Sequence, residues 1–374
     1  MKHSINTAVV VGSAMERLNK EYREILDLTT PISLLHLFNS EFLDFEDYCK
    51  DYSPHPAISN LKQLTLQFAE QYAILLPHAE SYITCVMFLF PHATLDKIIP
   101  LSKNYAIDFY LNDTMGRETQ PTEKERQHLY EIRARLFAYG SRLDPERTQS
   151  LPERANIEVL AQISYAAPAE WFDRFLKSYL LHIDVAHKTR DATSGGAIQT
   201  VEEYIGVRRE ISGMPHTVTL IEYSTDTYLD WPELQRAGIA DELEKINDAV
   251  SLIGALTNDL FSFEKEVIDH RSDSNLIPVI ILNNFRMKLH EAIQVASAII
   301  KNLLIDYTKS LHAIREKLDL SERLSGEQKH HVYVYLDGLK AVLQACWMWQ
   351  KSTKRYKRKF SIWLETNSQD LVTR

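Results

Sequence analysis

Between residues 258 and 266 the chain reads Asn-Asp-Leu-Phe-Ser-Phe-Glu-Lys-Glu, and oxygen-bearing side chains recur at Asn258, Ser262 and Glu266. A helix turns about 100° per residue, so residues four apart drift by only about 40° and share one strip. Leu252, Ile253 and Leu256 precede this strip, and Leu260, Phe261 and Phe263 interleave with it. An amide, a hydroxyl and a carboxylate on one strip of an apolar helix imply a buried polar site. Three hard oxygen donors suit Mg²⁺, which prefers oxygen and keeps positions open for water and phosphate. The alternative is a solvated helix face that happens to carry these residues, and the rest of the chain must decide between the two.

The surrounding sequence reads as nearly all helix. Glycine is scarce at 11 residues in 374, and the one Asp-Gly pair, Asp337-Gly338, falls inside the helical periodicity at 327–359. Helical periodicity recurs over 57–76, 97–113, 122–141, 155–183, 199–212, 216–227, 245–270, 276–304 and 327–359. Pro56, Pro77, Pro91, Pro121, Pro152, Pro232 and Pro278 sit where such helices should begin or break. Residues 192–197 read as a loop, and 144–147 and 269–274 as connections. The length allows two domains, but no linker rich in Pro, Gly or Ser divides the chain. Residues 1–50 carry no readable motif and are set apart as an N-terminal segment, with 51–374 expected to form one helical domain.

Composition narrows the function classes. The net charge of −9 argues against general nucleic-acid binding. No apolar run approaches a membrane span, so no stable membrane insertion is expected. The stretch 8–12 is too short and too weakly flanked for a signal peptide. Cys49, Cys85 and Cys346 are an odd number, too few for a disulfide framework, and fit a reducing cytoplasm. The basic run Lys351, Lys354, Arg355, Lys357, Arg358 and Lys359 is a local exception to the acidic balance, readable by itself as a solvated helix end.

Three segments together resemble class I terpene synthases, in particular the microbial terpene cyclases. The 258–266 segment is similar to their NDxxSxxxE metal-binding triad. Residues 204–213 resemble the Arg-Arg segment, which implies a pyrophosphate sensor at Arg209, a linker at Ser212 and an effector at Gly213. Trp349, six residues before Arg355-Tyr356, resembles the W…RY element that closes over pyrophosphate. The resemblance runs roughly from residue 60 to residue 360. It implies a single-domain, all-α helical bundle around a central cavity. It also implies a prenyl diphosphate substrate, Mg²⁺ at the family's usual three ions, and a homodimer as an allowed assembly.

A second, aspartate-bearing metal wall is implied on an earlier helix, and Asp108-Phe109-Tyr110-Leu111-Asn112-Asp113 is the best candidate. Phe109 stands where the family usually has a second acid, leaving Asp108 to bridge the metals. Asp113 lies about 140° from Asp108 around a helix, whereas Asn112 lies one turn above it, so either could be the further ligand. Arg209, Arg355 and Lys265 would offer charge-assisted donors to the diphosphate, and Tyr356 a hydroxyl.

An apolar pocket with aromatic faces is needed to hold a carbocation. Trp349 and Tyr105 are the leading pocket aromatics, with Tyr82, Phe88 and Phe90 behind them, and Tyr105 lies three residues before Asp108. Pro215 has no N–H for the carbonyl of Ile211, so the helix should break near Ser212 and Gly213 and free carbonyls at its negative end.

The expected activity is ionisation and cyclisation of a linear prenyl diphosphate with release of pyrophosphate. Geranylgeranyl diphosphate is slightly favoured, from a loose likeness of the Asp108–Asp113 motif to bacterial diterpene cyclases, over farnesyl diphosphate. The alternatives are a chain-elongating prenyltransferase, which normally carries two intact DDxxD motifs, and a non-catalytic helical scaffold. No DxDD acid motif occurs, which argues against protonation-initiated cyclisation.

Overall fold

The computed structural model describes residues 2–28, 30–39, 43–77, 79, 83–115, 127, 150–186, 191–195 and 197–368. Among them helices dominate and no strand forms. Two isolated bridges, Ile32 with Trp363 and Arg358 with Asn367, are the only β pairings among the described residues.

The helix Ala240–Phe263 lies at the centre. Its neighbours are Leu289–Leu320, Gly326–Ser352, Met214–Ser224 and Val201–Ile211. The centrality follows from its sequence: from Ala249 to Phe263 nearly every residue is buried, so the helix must be covered on all sides. The helix Leu95–Met115 carries Asp108 and packs on Ile58–Gln71 and Leu151–Tyr165. The predicted helix at 122–141 lies outside the described residues, as does the connection at 144–147.

Local chemistry sets several boundaries that periodicity misses. The run 155–183 divides into Leu151–Tyr165 and Ala169–Ala186, because Pro168 cannot continue the first helix and instead precedes the second. The run 276–304 divides into Leu276–Asn283 and Leu289–Leu320, with Asn284 leaving helical geometry. Residues 192–195 form a single helical turn within the expected loop. The last helix stops at Ser352, where Thr353 turns to an extended conformation. Arg355 and Tyr356 therefore sit on an irregular C-terminal strap and not on the helix expected to run to 359.

The N-terminal segment is helical over Lys2–Leu26, Leu34–Phe38 and Phe45–Cys49. Val11, Leu18, Tyr22, Leu34 and Phe38 join the same core as the central helix. Glu365 on the strap accepts hydrogen bonds from Leu34 N at 2.9 Å and Leu35 N at 3.0 Å, an acid at a helix start where N–H groups lack partners. Among the described residues no helix is long and apolar enough to cross a membrane.

Candidate functional site

An open cavity enters the bundle beside the central helix. Gly254, Ala255, Asn258 and Glu266 line it from that helix and its extension. Gly254, one turn before Asn258, lets Met214 and Cys346 pack closely against the helix: a Cβ there would lie 2.7 Å from Met214 Cε and 3.0 Å from Cys346 Sγ. The α-helix does not continue through Glu266 as the spacing predicts. A π-helical turn spans Glu264–Asp269, with His270 N bonded to the Lys265 carbonyl five residues back. Single π turns are uncommon and concentrate at functional sites.

Each member of the 258–266 strip has a distinct setting. The Asn258 amide oxygen accepts from Arg208 Nη2 at 2.9 Å, and its amide nitrogen donates to Tyr356 Oη at 2.8 Å. A carbonyl oxygen has two lone pairs, so one remains for a further partner. Glu266 Oε2 accepts from Asn275 Nδ2 at 3.2 Å. Ser262 is 1% exposed, and its Oγ has no hydrogen-bond partner among the described residues, although it is not part of the cavity lining. A buried hydroxyl without a partner is costly, which makes it a place where a further ligand belongs.

Asp108 lines the same cavity from the helix Leu95–Met115, as do Tyr105 and Phe109. Sequence reasoning missed its main partner. His182, 74 residues away, lies with Nε2 2.9 Å from Asp108 Oδ1 and Nδ1 3.1 Å from the Glu210 carbonyl. Burial opposes charge on His182, but Asp108 and the Glu210 carbonyl outweigh it and raise its pKa. Behind it, His216 is lowered to about 3 by burial and by the neighbouring His182, and so stays neutral. Neither ring nitrogen of His216 has a partner among the described residues. The only forewarning of His182 was a histidine in an apolar helix. Asn112 and Asp113 fall in the last turn of the Asp108 helix, but their side chains, like Tyr82, lie outside the described residues.

The two adjacent arginines are sorted by packing: Arg208 lines the cavity, and Arg209, the sensor that the resemblance implied, is not among the lining residues. Arg209 pairs with Glu210 at 2.9 Å and Asp248 at 2.8 Å. Arg208 is the one that lines the cavity, 6% exposed. Its Nε donates to Asp259 Oδ1 at 2.7 Å, alongside the bond to Asn258. Burial works against its charge, but Asp259 more than compensates and the pKa is raised. Asp259 is itself a hub: its Oδ2 accepts from Tyr204 Oη at 2.6 Å and Leu276 N at 3.0 Å. The physical cause is azimuth, since neighbours on a helix differ by about 100° and only one can face Asp259.

Ser212 and Gly213 line the cavity at the expected helix break. The break is real: Val201–Ile211 ends, Gly213 adopts φ +73°, and Met214–Ser224 begins with Pro215 in its first turn. The carbonyl of Gly213 is nevertheless engaged, accepting from Thr217 N at 3.1 Å and Thr217 Oγ1 at 2.9 Å as the first acceptor of the new helix. The Ser212 hydroxyl donates to the Arg209 carbonyl at 2.6 Å and accepts from Met214 N at 3.1 Å, pinning the turn. A Cβ at Gly213 would approach His216 Cε1 to 2.9 Å. We therefore expect Gly213→Ala to destabilise the protein by at least about 1–2 kcal/mol from the left-handed backbone alone. A melting temperature equal to wild type would show that this φ is not required.

The last wall comes from the C-terminus. Trp349, Gln350, Arg355 and Tyr356 line the cavity. Trp349 stacks edge-on with Tyr356 at 6.3 Å and lies 6.4 Å from Phe109, so three aromatic rings border the space between the polar walls. Tyr105 borders it as well, its hydroxyl 2.5 Å from Thr217 Oγ1, and burial holds the phenol well above its ordinary pKa. Phe90 packs edge-on against Tyr105 but is not part of the lining, and Phe88 is half-buried elsewhere. Lys265 is half-buried and is likewise not among the lining residues.

The residues fit a hard divalent cation. Asp108, Asn258 and Glu266 line one cavity, and Ser262, between the last two in sequence, has a buried hydroxyl with no partner among the described residues. Among the described residues no three His, Cys, Asp or Glu side chains gather into a closed cage. A cation here would share its coordination with water and a phosphate ligand, as Mg²⁺ commonly does.

Comparisons with known proteins bear on the family and the fold. A family model described as terpene synthase family 2, C-terminal metal binding, matches residues 103–306. Sesquiterpene synthase 1 of Postia placenta is 25% identical over 183 residues, which span 49% of this chain and 50% of that protein. The chain thus matches only about half the length of that curated relative. A (2Z,6E)-hedycaryol synthase of Kitasatospora setae is 22% identical over 72% of this chain and 77% of that protein. The crystal structure of an a-eudesmol synthase superposes with a TM-score of 0.68 at 18% identity, covering 80% of this chain and 96% of that one.

Proposed function

Because the chain belongs to the class I terpene synthases, in terpene synthase family 2, we propose that it is a Mg²⁺-dependent terpene cyclase. It ionises a linear prenyl diphosphate, cyclises the resulting allylic cation and releases pyrophosphate. The observation that carries this reading is one cavity lined together by Asp108, Asn258 and Glu266 and by the aromatic rings of Tyr105, Phe109, Trp349 and Tyr356. Asp108, Asn258, Ser262 and Glu266 are the proposed holders of the metal, with Asn112 or Asp113 as a further ligand. When bound, Mg²⁺, at the family's usual three ions, supplies Lewis-acid neutralisation of the leaving group.

The chain's own residues do the rest. Arg208 and Arg355 donate to the diphosphate oxygens, and Tyr356 adds a hydroxyl. Arg208 takes the sensor role that the resemblance assigns to Arg209. As the C1–O bond breaks, its electron pair leaves with pyrophosphate, and these fixed donors stabilise the charge that develops. The faces of Trp349, Phe109 and Tyr105 stabilise the cation left behind. Gly213 shapes the turn that brings Arg208 and Ser212 to the same rim, and Lys265 has no direct part.

The names of the relatives support farnesyl diphosphate as the first substrate to test, ahead of the geranylgeranyl diphosphate favoured from sequence. Residues 51–374 carry every proposed site residue and share one core with the helices of 1–50, and the proposed setting is the cytoplasm, with a homodimer as an allowed assembly. The test is incubation with farnesyl and geranylgeranyl diphosphates and Mg²⁺, with gas chromatography of the products. EDTA should abolish turnover and added Mg²⁺ should restore it. Absence of pyrophosphate release from any prenyl diphosphate would sink the reading. Products that form only with added isopentenyl diphosphate would make the protein a chain-elongating enzyme instead.

A further inference from the structure

Glu264, two residues before the proposed ligand Glu266, is 2% exposed and lies outside the cavity lining. It opens the π turn and accepts hydrogen bonds from two distant parts of the chain. Tyr22 Oη on the N-terminal helix donates to Oε1 at 2.8 Å. From the C-terminal strap, Ile362 N donates to Oε1 at 3.0 Å and Ser361 Oγ to Oε2 at 2.5 Å. The rings follow the same convergence: Phe263 meets Tyr22 and Trp363 edge-on at 6.3 Å and 6.2 Å. At the far end of the turn, Arg358 of the strap pairs with Asp269.

Residues two apart on a helical turn point to opposite sides. Fixing Glu264 on the side that faces the N-terminal helix and the strap therefore fixes the rotation that aims Glu266 toward the cavity. A π turn also has poorer intrinsic geometry than the α-helix it interrupts and persists where tertiary contacts hold it. The strap that supplies two of these contacts begins with Arg355 and Tyr356. Anchoring it to Glu264 and Asp269 ties one wall of the cavity to another.

We propose that Glu264 is a positioning residue, joining the N-terminal helix and the C-terminal strap to the π turn so that Glu266 and Arg355-Tyr356 are held in register at the metal and diphosphate site. This rests on the metal-dependent reading given above, and it assigns residues 1–50 a brace function. The test titrates Mn²⁺, followed by electron paramagnetic resonance, into wild type and Glu264→Gln with saturating inorganic pyrophosphate. The glutamine amide would set an N–H group against existing donors. We expect Mn²⁺ affinity to fall roughly 10-fold or more, the usual scale for losing a group that orients a ligand. The helical circular dichroism should remain, and hydrogen exchange at 353–362 should quicken.

Tyr22→Phe and Ser361→Ala each remove one donor, and should shift Mn²⁺ affinity in the same direction by a smaller factor. They decide the matter where Glu264→Gln fails to fold. A purely structural role would lower the melting temperature of these variants and leave the Mn²⁺ affinity of the folded protein unchanged, which would overturn the proposal. Wild type that binds no Mn²⁺ even with pyrophosphate would overturn both this inference and the metal-dependent reading.

Discussion

Replacing Asp108 by alanine is expected to lower turnover of a prenyl diphosphate by at least about 100-fold, the scale for losing one preorganised electrostatic contact at a reacting centre. The expectation is larger here than for a site with a complete acidic motif, because Phe109 occupies the second acidic position and Asp108 has no neighbour to replace it. The fold should survive. Asp108 is only partly buried, and its described partner His182 keeps the Glu210 carbonyl when the carboxylate is removed. Pyrophosphate release, measured beside a thermal melt, separates the two effects. An Asp108→Ala enzyme within about tenfold of wild type would remove this residue from the ionising machinery.

Exchanging the adjacent arginines one at a time should give sharply unequal results. Arg208→Lys keeps a charge but cannot present one planar fork to Asp259 and Asn258 together. It leaves Asp259 buried with a weaker partner, and breaking a buried pair outright costs about 3–5 kcal/mol. We expect lower stability and a KM for the diphosphate raised about tenfold or more, since every 1.4 kcal/mol of lost binding is a factor of ten. Arg209→Ala breaks only half-exposed pairs with Glu210 and Asp248. Such pairs contribute about 0–1 kcal/mol, so stability and KM should stay close to wild type. Loss of pyrophosphate binding in Arg209→Ala, with Arg208→Lys tolerant, would reverse the assignment and return the sensor role to Arg209.

Much of the molecule was legible in its sequence because its chemistry is local. Helix content follows from periodicity and the scarcity of turn signals. The break at Gly213 follows from a proline that cannot serve a carbonyl four residues back, and Gly213 does take the left-handed conformation. Asp108, Asn258, Glu266, Trp349 and Tyr105 were singled out by spacing and resemblance, and all line one cavity.

Spacing along a helix determines which residues share a strip, but only relative to one another. The absolute rotation of each helix is decided by what packs around it. That is why the sequence alone could pair Arg208 and Arg209 without saying which faces inward, a choice made by the buried Asp259 and Tyr204. It is also why His182, remote in sequence, could not be foreseen beside Asp108. The same holds for the π turn under Glu266, which local propensity does not favour and which Tyr22, Ser361 and Ile362 hold from both ends of the chain. The kinds of side chain and their order along each strip were written locally. Their convergence on one cavity needed contacts between segments far apart, because only those contacts set the rotation and register of rigid helices.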